Sequence, residues 1–471
     1  MAHIRLLRHY IHTPLVLTIA AEALVTFAAA YTGYATRYFV FPMFEDFIKF
    51  AVVFTIVLTL SNSFMGVHKA RLVEGYLGMF LRGGIAFFFI GTLVVAALVY
   101  MFPTLYPGTD VLLIATIEAF VFVTAVRWPA YSLINDKFLR KRVVVMGTGE
   151  RALTVAARMR RSSDRRAFVL VGYLHYPEAP DLVSEYGGNL IPVSQGRVSE
   201  ICEMHAIEEI VVAMDNRRGD EPGHKTPFRE LMDVKLSGVE VCEIQDFVER
   251  EVGKLDTDLL RRSWLVFSEG FTTNLFRAST KRIFDICVAI ALTIVFAPVM
   301  LLTALTIKLT EGWRAKLLYQ QKRVGLNGRI FQVFKFRTMV EGAEESGAVW
   351  ADHNDPRTTT IGNVLRKTHL DEVPQLYNVI VGEMSMVGPR PERPVFVDHL
   401  KKELVFYDER HRVKPGVTGW AQLYYPYGAS IADAKEKLQY DLYYLKNHSF
   451  LLDIIIILQT VETIIVGEGA R

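Results

Sequence analysis

The sequence predicts a membrane protein in three parts. A four-helix transmembrane N-terminal module covers residues 1–135. A doubly wound α/β middle domain covers 136–262. An α/β C-terminal domain covers 263–471 and carries a re-entrant membrane helix at about 283–309. Three observations predict this. Mean hydropathy is +0.23 over 471 residues, high for a fully soluble chain. The apolar excess gathers in the first 130 residues and in one later stretch. A strand, a glycine turn and a helix open the middle.

Composition excludes several classes. With 51% hydrophobic and 22% charged residues the chain is neither disordered nor collagen-like. Lys+Arg 53 against Asp+Glu 50 leaves +3, too balanced for a nucleic-acid partner. Cys202, Cys242 and Cys287 are far apart, which argues against a disulfide framework or a zinc ribbon.

The apolar stretches at 14–31, 47–60, 83–102 and 111–126 approach or reach the roughly 20 residues a helix needs to cross a bilayer. The second is the shortest and must borrow residues 61–65. Arg5 and Arg8 precede the first; Lys69, Arg71 and Arg82 lie between the second and third. Arg127, Lys137, Arg140, Lys141 and Arg142 follow the fourth. The positive-inside bias puts both ends of this module in the cytoplasm. Glu22 and Glu118 lie inside apolar runs. Each is a functional candidate, a packing group or the partner of a nearby Arg.

Residues 142–146 read as a buried strand. Gly147-Thr148-Gly149 turns into a helix running through Met159, the context of a Rossmann-like dinucleotide unit. Further strands are expected at 168–175, 209–213 and 239–244. Gly147 and Gly149 would form the nucleotide turn. The end of the second strand reads Gly172-Tyr173-Leu174-His175, without the acid that holds a ribose. That disfavours a nicotinamide cofactor and leaves a nucleotide-like regulator or an empty sheet used for assembly.

Residues 283–309 would span roughly 40 Å as a straight helix. Arg277, Lys281 and Arg282 stand before them; Lys308, Arg314 and Lys316 follow. Both flanks therefore read as cytoplasmic. Pro298 near the middle removes a backbone hydrogen bond. A helix that bends at Ala297-Pro298 and returns satisfies these observations; the alternative is an ordinary fifth span that tolerates the proline.

The motif-dense block follows. Gln321-Lys322-Arg323 precedes a strand in which Lys335 and Arg337 share a face, either a solvated surface or, beside the carboxylates that follow, a pattern suited to phosphate. Thr368 and Asp371 give a helix-start signal, with Pro374 in the first turn and the helix ending near Gly382. Asp371 and Glu372 then sit at a helix N-terminus. The alternatives are an acid pair that merely caps a helix, or one carboxylate toward a substrate and the other toward a metal. Pro389 and Pro391 fix the backbone around Arg390. Lys414-Pro415-Gly416 makes another cation-bearing turn. The tail, 450–466, reads as an interfacial or packing helix.

From Lys281 onward the chain resembles the bacterial sugar transferases, the monotopic phosphoglycosyl transferases that start exopolysaccharide and O-antigen assembly. The motifs are Lys335-Phe336-Arg337-Thr338-Met339, Asp355-Pro356-Arg357, Leu370-Asp371-Glu372-Val373-Pro374-Gln375, the Val387-to-Pro391 turn and Pro415-Gly416-Val417-Thr418-Gly419-Trp420. The four spans and glycine-turn domain resemble the long subfamily. The opening and the 263–271 linker look closest to the exopolysaccharide enzymes associated with PEP-CTERM sorting.

The resemblance implies a reaction. Asp371 would attack the β-phosphate of a nucleoside-diphosphate sugar, which by family habit carries uracil. UMP would leave and polyprenyl (undecaprenyl) phosphate would then take the sugar phosphate. Glu372 would hold Mg²⁺. Lys335, Arg337, Arg366, Arg390 and Gln375 would bind substrate phosphate. Pro389, Pro391 and Pro298 would be structural. The expected setting is the bacterial cytoplasmic (inner) membrane, with the catalytic domain on the cytoplasmic face, membrane lipid as a partner and a homodimer as the assembly. The rival reading is a membrane-anchored nucleotide-sugar dehydratase or epimerase. It needs a Tyr-x-x-x-Lys pair, and no tyrosine here has Lys four residues on.

Overall fold

The computed structural model describes residues 3–6, 9–65, 75–135, 140–158, 168–177, 179–193, 198–215, 227–260, 275–340, 342, 357–425, 428 and 430–466. Residues 263–271, Asp355, Pro356 and Met159 lie outside the described residues. The chain divides into two compact units, in the main 1–252 and 253–471.

After two short paired strands, His3–Leu6 and His9–His12, come helices α1 (Thr13–Tyr38) and α2 (Phe44–Phe64). Helices α3 (Gly75–Ile85) and α4 (Thr92–Met101) are joined by a π-helical segment, Ala86–Gly91. Helix α5 is Thr109–Asn135. The expected stretches fall within these helical segments, save that the third stops at Met101, one residue early, and the second does extend to Phe64. Lipid supplies little hydrophobic drive between helices, so close packing must hold them. Small residues allow it. A Cβ added to Gly33 would sit 2.7 Å from the Ala115 Cα, and Ala29, Ala30 and Ala119 are also fully buried. Phe50, Phe54, Leu58, Phe87 and Val95 fill the core.

Both intramembrane acids have partners. Arg127 Nε and Nη2 donate to Glu22 at 2.7 and 2.8 Å, with both side chains almost fully buried. Thr32 and Thr36 donate to Glu118 at 2.5 and 2.7 Å. The packing and Arg-pair readings of these residues therefore hold. Removing one member of a buried ion pair strands the other. Arg127→Ala is expected to destabilise the protein by about 3–5 kcal/mol, read as a lowered Tm in detergent. Adding Glu22→Gln should recover part of that loss.

The sheet explains itself by pattern. Strand β1 (Lys141–Met146) runs into helix α6 (Glu150–Arg158); β2 is Phe168–His175 and β3 is Leu190–Pro192. Helix α7 (Val198–Met204), β4 (Glu209–Val212), α8 (Phe228–Leu236), β5 (Glu240–Glu243) and α9 (Ile244–Val252) complete it. All pairings are parallel and the order is β3-β2-β1-β4-β5. Val143, Val144, Val145 and Met146 are fully buried, as a strand covered on both faces requires. The glycine turn leaves the carboxyl end of β1, where the strand order reverses.

The second unit begins its described helices with α10, Leu275–Glu311. The stretch expected to bend at Ala297-Pro298 lies within this single helix. One helical run of 37 residues continues through Pro298, because a proline removes only one hydrogen bond and the rest can carry on. Its two ends dock on one domain all the same. Arg282 donates to the carbonyls of Val379 and Ile380 at 2.6 and 2.7 Å. Asp285 accepts from Ser385 Oγ and Met386 N. At the far end Ile307 packs with Phe336 and Leu365. Between them Ile294, Val295, Leu301 and Leu302 are exposed apolar side chains. Helix α10 joins four N-terminal helical segments in being long and apolar enough to cross a membrane, five among the described residues. This is a membrane protein.

Strands β6 (Leu318–Val324) and β7 (Ile330–Phe336) form an antiparallel pair with Tyr319 opposite Lys335. Helix α11 (Thr360–Lys367), a 3₁₀ turn (Leu370–Glu372) and α12 (Gln375–Val381) follow. Strand β8 (Ser385–Val387) leads to α13 (Pro394–Glu403) and a second 3₁₀ turn (Tyr407–Arg412). Strand β9 (Gly416–Thr418) pairs parallel with β8. Helices α14 (Trp420–Tyr424), α15 (Ile431–Asn447) and α16 (Phe450–Val466) end the domain. The tail is a packing helix on its inner side, where Leu452 and Ile456 are fully buried in the main core.

Candidate active site

The acid pair is set by a local conflict of geometry. Helix α11 stops at Lys367, and Thr368 Oγ1 donates back to Val364 O and Leu365 O. Thr368 thus closes α11 and does not start the next helix, correcting the expected capping signal. His369 follows at φ +57°, a left-handed conformation costly for a non-glycine residue. The chain then enters the 3₁₀ turn that holds Asp371 and Glu372. The pair therefore stands one short turn ahead of α12, whose first residue is Gln375. The helix ends at Gly382, as expected, with φ +102°.

The two carboxylates have different environments. Glu372 Oε1 accepts from Lys335 Nζ at 2.6 Å and from Arg390 Nη2 at 2.7 Å. Burial pushes its pKa up, but the guanidinium and ammonium outweigh it and hold the carboxyl well below its ordinary range. Asp371 is 8% exposed, and its carboxylate accepts no hydrogen bond among the described residues. Burial raises its pKa, against the pull of Lys335. Two neighbouring acids pushed apart in this way can take different roles.

The expected phosphate-binding residues separate into two groups. Lys335 and Arg390 converge on Glu372. Lys335 reaches it because Phe331 and Val333 bury the same strand face one and two steps earlier. Arg337, two residues on, goes elsewhere: its guanidinium pairs with Glu311 at 3.2 Å and bonds Met339 O. Arg366 bonds the hydroxyls of Thr338 and Thr358. Gln375 is buried at the start of α12. Pro389 and Pro391 flank Arg390 as expected. Sequence reasoning missed Gln422, whose Oε1 accepts from Arg390 Nη1 at 2.9 Å. It stands two residues past the Trp420 motif, and no local pattern marks it. It also missed Arg410, which donates to Arg390 O at 3.0 Å.

The glycine turn of the first unit is filled from within. Asp215, past the end of β4, accepts from Glu150 N at 2.9 Å and Arg151 N at 2.8 Å. Those amides open α6 and are where a pyrophosphate would bind in a dinucleotide fold. A Cβ on Gly149 would lie 1.8 Å from Asp215 Oδ2, so glycine there makes room for the carboxylate. An anionic ligand at this turn would have to displace Asp215.

Comparison with known proteins agrees with the second unit's geometry. The model of the family described as bacterial sugar transferase matches residues 276–467. A UDP-N-acetylgalactosamine-undecaprenyl-phosphate N-acetylgalactosaminephosphotransferase of Aeromonas hydrophila is 38% identical over 269 residues, 57% of this chain and 62% of that one. An undecaprenyl-phosphate glucose phosphotransferase of Komagataeibacter xylinus is 32% identical over 346 residues, 70% of this chain and 60% of that one. The chain thus spans about three fifths of each of these two relatives. The uncharacterized sugar transferase EpsL of Bacillus subtilis (strain 168) is 38% identical over 191 residues, 41% of this chain and 90% of that protein. With such a relative matched over nearly its whole length, and with the paired acids and their cations inside the residues that the family model matches, the chain belongs to the bacterial sugar transferase family.

Proposed function

We propose that this protein transfers a sugar 1-phosphate from a UDP-sugar to undecaprenyl phosphate at the cytoplasmic face of the inner membrane, as the first membrane step of exopolysaccharide synthesis. One observation carries the reading: Glu372 is claimed by two cations while Asp371 beside it accepts no hydrogen bond among the described residues. A buried carboxylate that accepts no hydrogen bond among the described residues is available as a nucleophile, and the burial that raises its pKa makes it a stronger one.

A carboxylate oxygen of Asp371 attacks the β-phosphorus. The bond from that phosphorus to the bridging oxygen breaks, and UMP leaves with the electron pair. A phosphate oxygen of the lipid acceptor then attacks the aspartyl phosphate. The bond to Asp371 breaks, giving the lipid diphosphate sugar and the free carboxylate. Each transfer calls for charge neutralisation and in-line placement. Lys335 and Arg390 supply fixed positive charge beside the acid pair.

Mg²⁺ fits this donor set. The ion usually takes one or two carboxylates together with substrate phosphates. The described residues hold no cluster of three ligating side chains, so no protein cage is offered. Glu372 meets both cations through Oε1, which leaves its second oxygen for a metal. Bound there, the ion would offset charge on the diphosphate.

The re-entrant reading of α10 is supported by its docking. A straight helix would part Arg282 from Ile307 by about 38 Å. Both nonetheless rest on one domain, Arg282 on α12 and Ile307 on β7 and α11. A label placed after Lys316 is expected to stay inaccessible from outside intact cells; external labelling would favour a full span. The reaction itself is tested with a panel of UDP-sugars. UMP should appear only when undecaprenyl phosphate or a stoichiometric amount of enzyme is present to accept the sugar phosphate. Release of an altered UDP-sugar instead would overturn the reading.

A further inference from the structure

Four consecutive carbonyls around Arg390 are each held by a donor from elsewhere in the domain. Gly416 N donates to Pro389 O at 2.9 Å. Arg410 Nη2 donates to Arg390 O at 3.0 Å. Arg323 Nη1 donates to Pro391 O at 2.9 Å, and Val324 N to Glu392 O at 2.9 Å. Pro389 and Pro391 have no N–H to donate and have φ fixed by their rings. The backbone of this turn therefore has little freedom, and Arg390 keeps only that of its side chain.

Arg410 is the member of this cage with the deepest anchorage. It is 5% exposed, and it pairs at 2.8 Å with Asp441, itself 1% exposed, on α15. Its other arm donates to the Tyr407 hydroxyl at 2.8 Å. A buried ion pair is poor evidence of stabilisation in its own right, because desolvation offsets much of the attraction. What this pair does locally is present a planar guanidinium to the carbonyl of the residue that grips Glu372. Lysine would bring its donors from a single nitrogen and lacks the planar fork that reaches these partners in fixed directions.

We propose that Arg410, anchored by Asp441, is a positioning residue: it fixes the Arg390 carbonyl and so aims the Arg390 guanidinium at Glu372. This rests on the reading of Asp371 and Glu372 as the reacting pair. Arg410 touches neither acid; it acts through Arg390.

The test is a double-mutant cycle on kcat/KM for UMP release by the full-length protein in detergent, between Arg410→Met and Arg390→Ala. Alone, Arg410→Met is expected to lower kcat/KM about a hundredfold, the scale of a misplaced catalytic group. In the Arg390→Ala background it should add less than about a further twofold, because the group it aims is gone. Asp441→Asn, which keeps shape and removes charge, should show the same dependence on Arg390. That variant keeps the test open where Arg410→Met fails to fold. Factors that multiply in both cycles would mean a general structural role and overturn the inference, leaving the proposed reaction standing. A wild-type protein that releases no UMP overturns the reaction and the inference together.

Discussion

Asp371→Asn is expected to abolish turnover, with UMP release falling by about a thousandfold or more. The amide is nearly the size of the carboxylate, so the turn should fold unchanged. Its oxygen is a far poorer nucleophile and its nitrogen cannot carry the phosphoryl group. Asp371 accepts no hydrogen bond among the described residues, so folding loses none there. Replacing the partly buried charge should leave Tm unchanged or slightly higher, since burial penalises the ionised form. The pairing of lost activity with retained stability is what separates a nucleophile from a structural acid. A second readout is covalent. Wild-type protein mixed with a UDP-sugar alone should gain the mass of a hexose phosphate, and the variant should not. Undiminished UMP release by the variant would remove Asp371 from the reaction.

The parts of this protein that local sequence reveals are those built from local periodicity. The four apolar stretches are helices because their composition leaves no other way to satisfy backbone groups in lipid. The valine run at 143–145 and the glycine turn announce a strand entering a helix. Strand β3 escaped notice because three residues ending in Pro192 carry no period. The π-helical segment at Ala86–Gly91 escaped for a related reason: residue identities barely distinguish it from α-helix.

The site was legible in its members and not in its connections. Asp371, Glu372, Lys335 and Arg390 all stand in recognisable motifs. That Lys335 and Arg390 meet on one oxygen of Glu372 is a tertiary fact, joining residues 37 and 18 positions away from it. Arg337 shows the limit. It shares a strand face with Lys335, yet the strand ends at Phe336 and its charge turns to Glu311 at the foot of the membrane helix. Asp215 is a similar case, since it fills a turn 65 residues earlier in the chain.

Glu372→Gln is the second large effect expected, and it follows from those connections. Lys335 and Arg390 lose their shared counter-charge, and both are pulled from the geometry that Glu372 imposes. Charge-assisted hydrogen bonds are about twice as strong as neutral ones, so the amide oxygen cannot hold two cations equally well. The expected fall in kcat/KM is about a hundredfold. Loss of a carboxylate ligand should also shift the Mg²⁺ concentration for half-maximal rate upward by about tenfold. The two readouts discriminate between roles. A fall in rate with an unmoved metal titration would mean that Glu372 serves only to place Lys335 and Arg390. A metal shift with little change at saturating Mg²⁺ would mean that it serves the ion alone. A variant that matches wild type in both would remove Glu372 from the site. Stability gives a further check with a definite sign. The Glu372 carboxyl titrates below its unfolded value, so its contribution is present near neutral pH and is lost as pH falls through the folded pKa. Wild type should lose stability on acidification below about pH 4.5 more steeply than Glu372→Gln does, because the amide has no proton to take up.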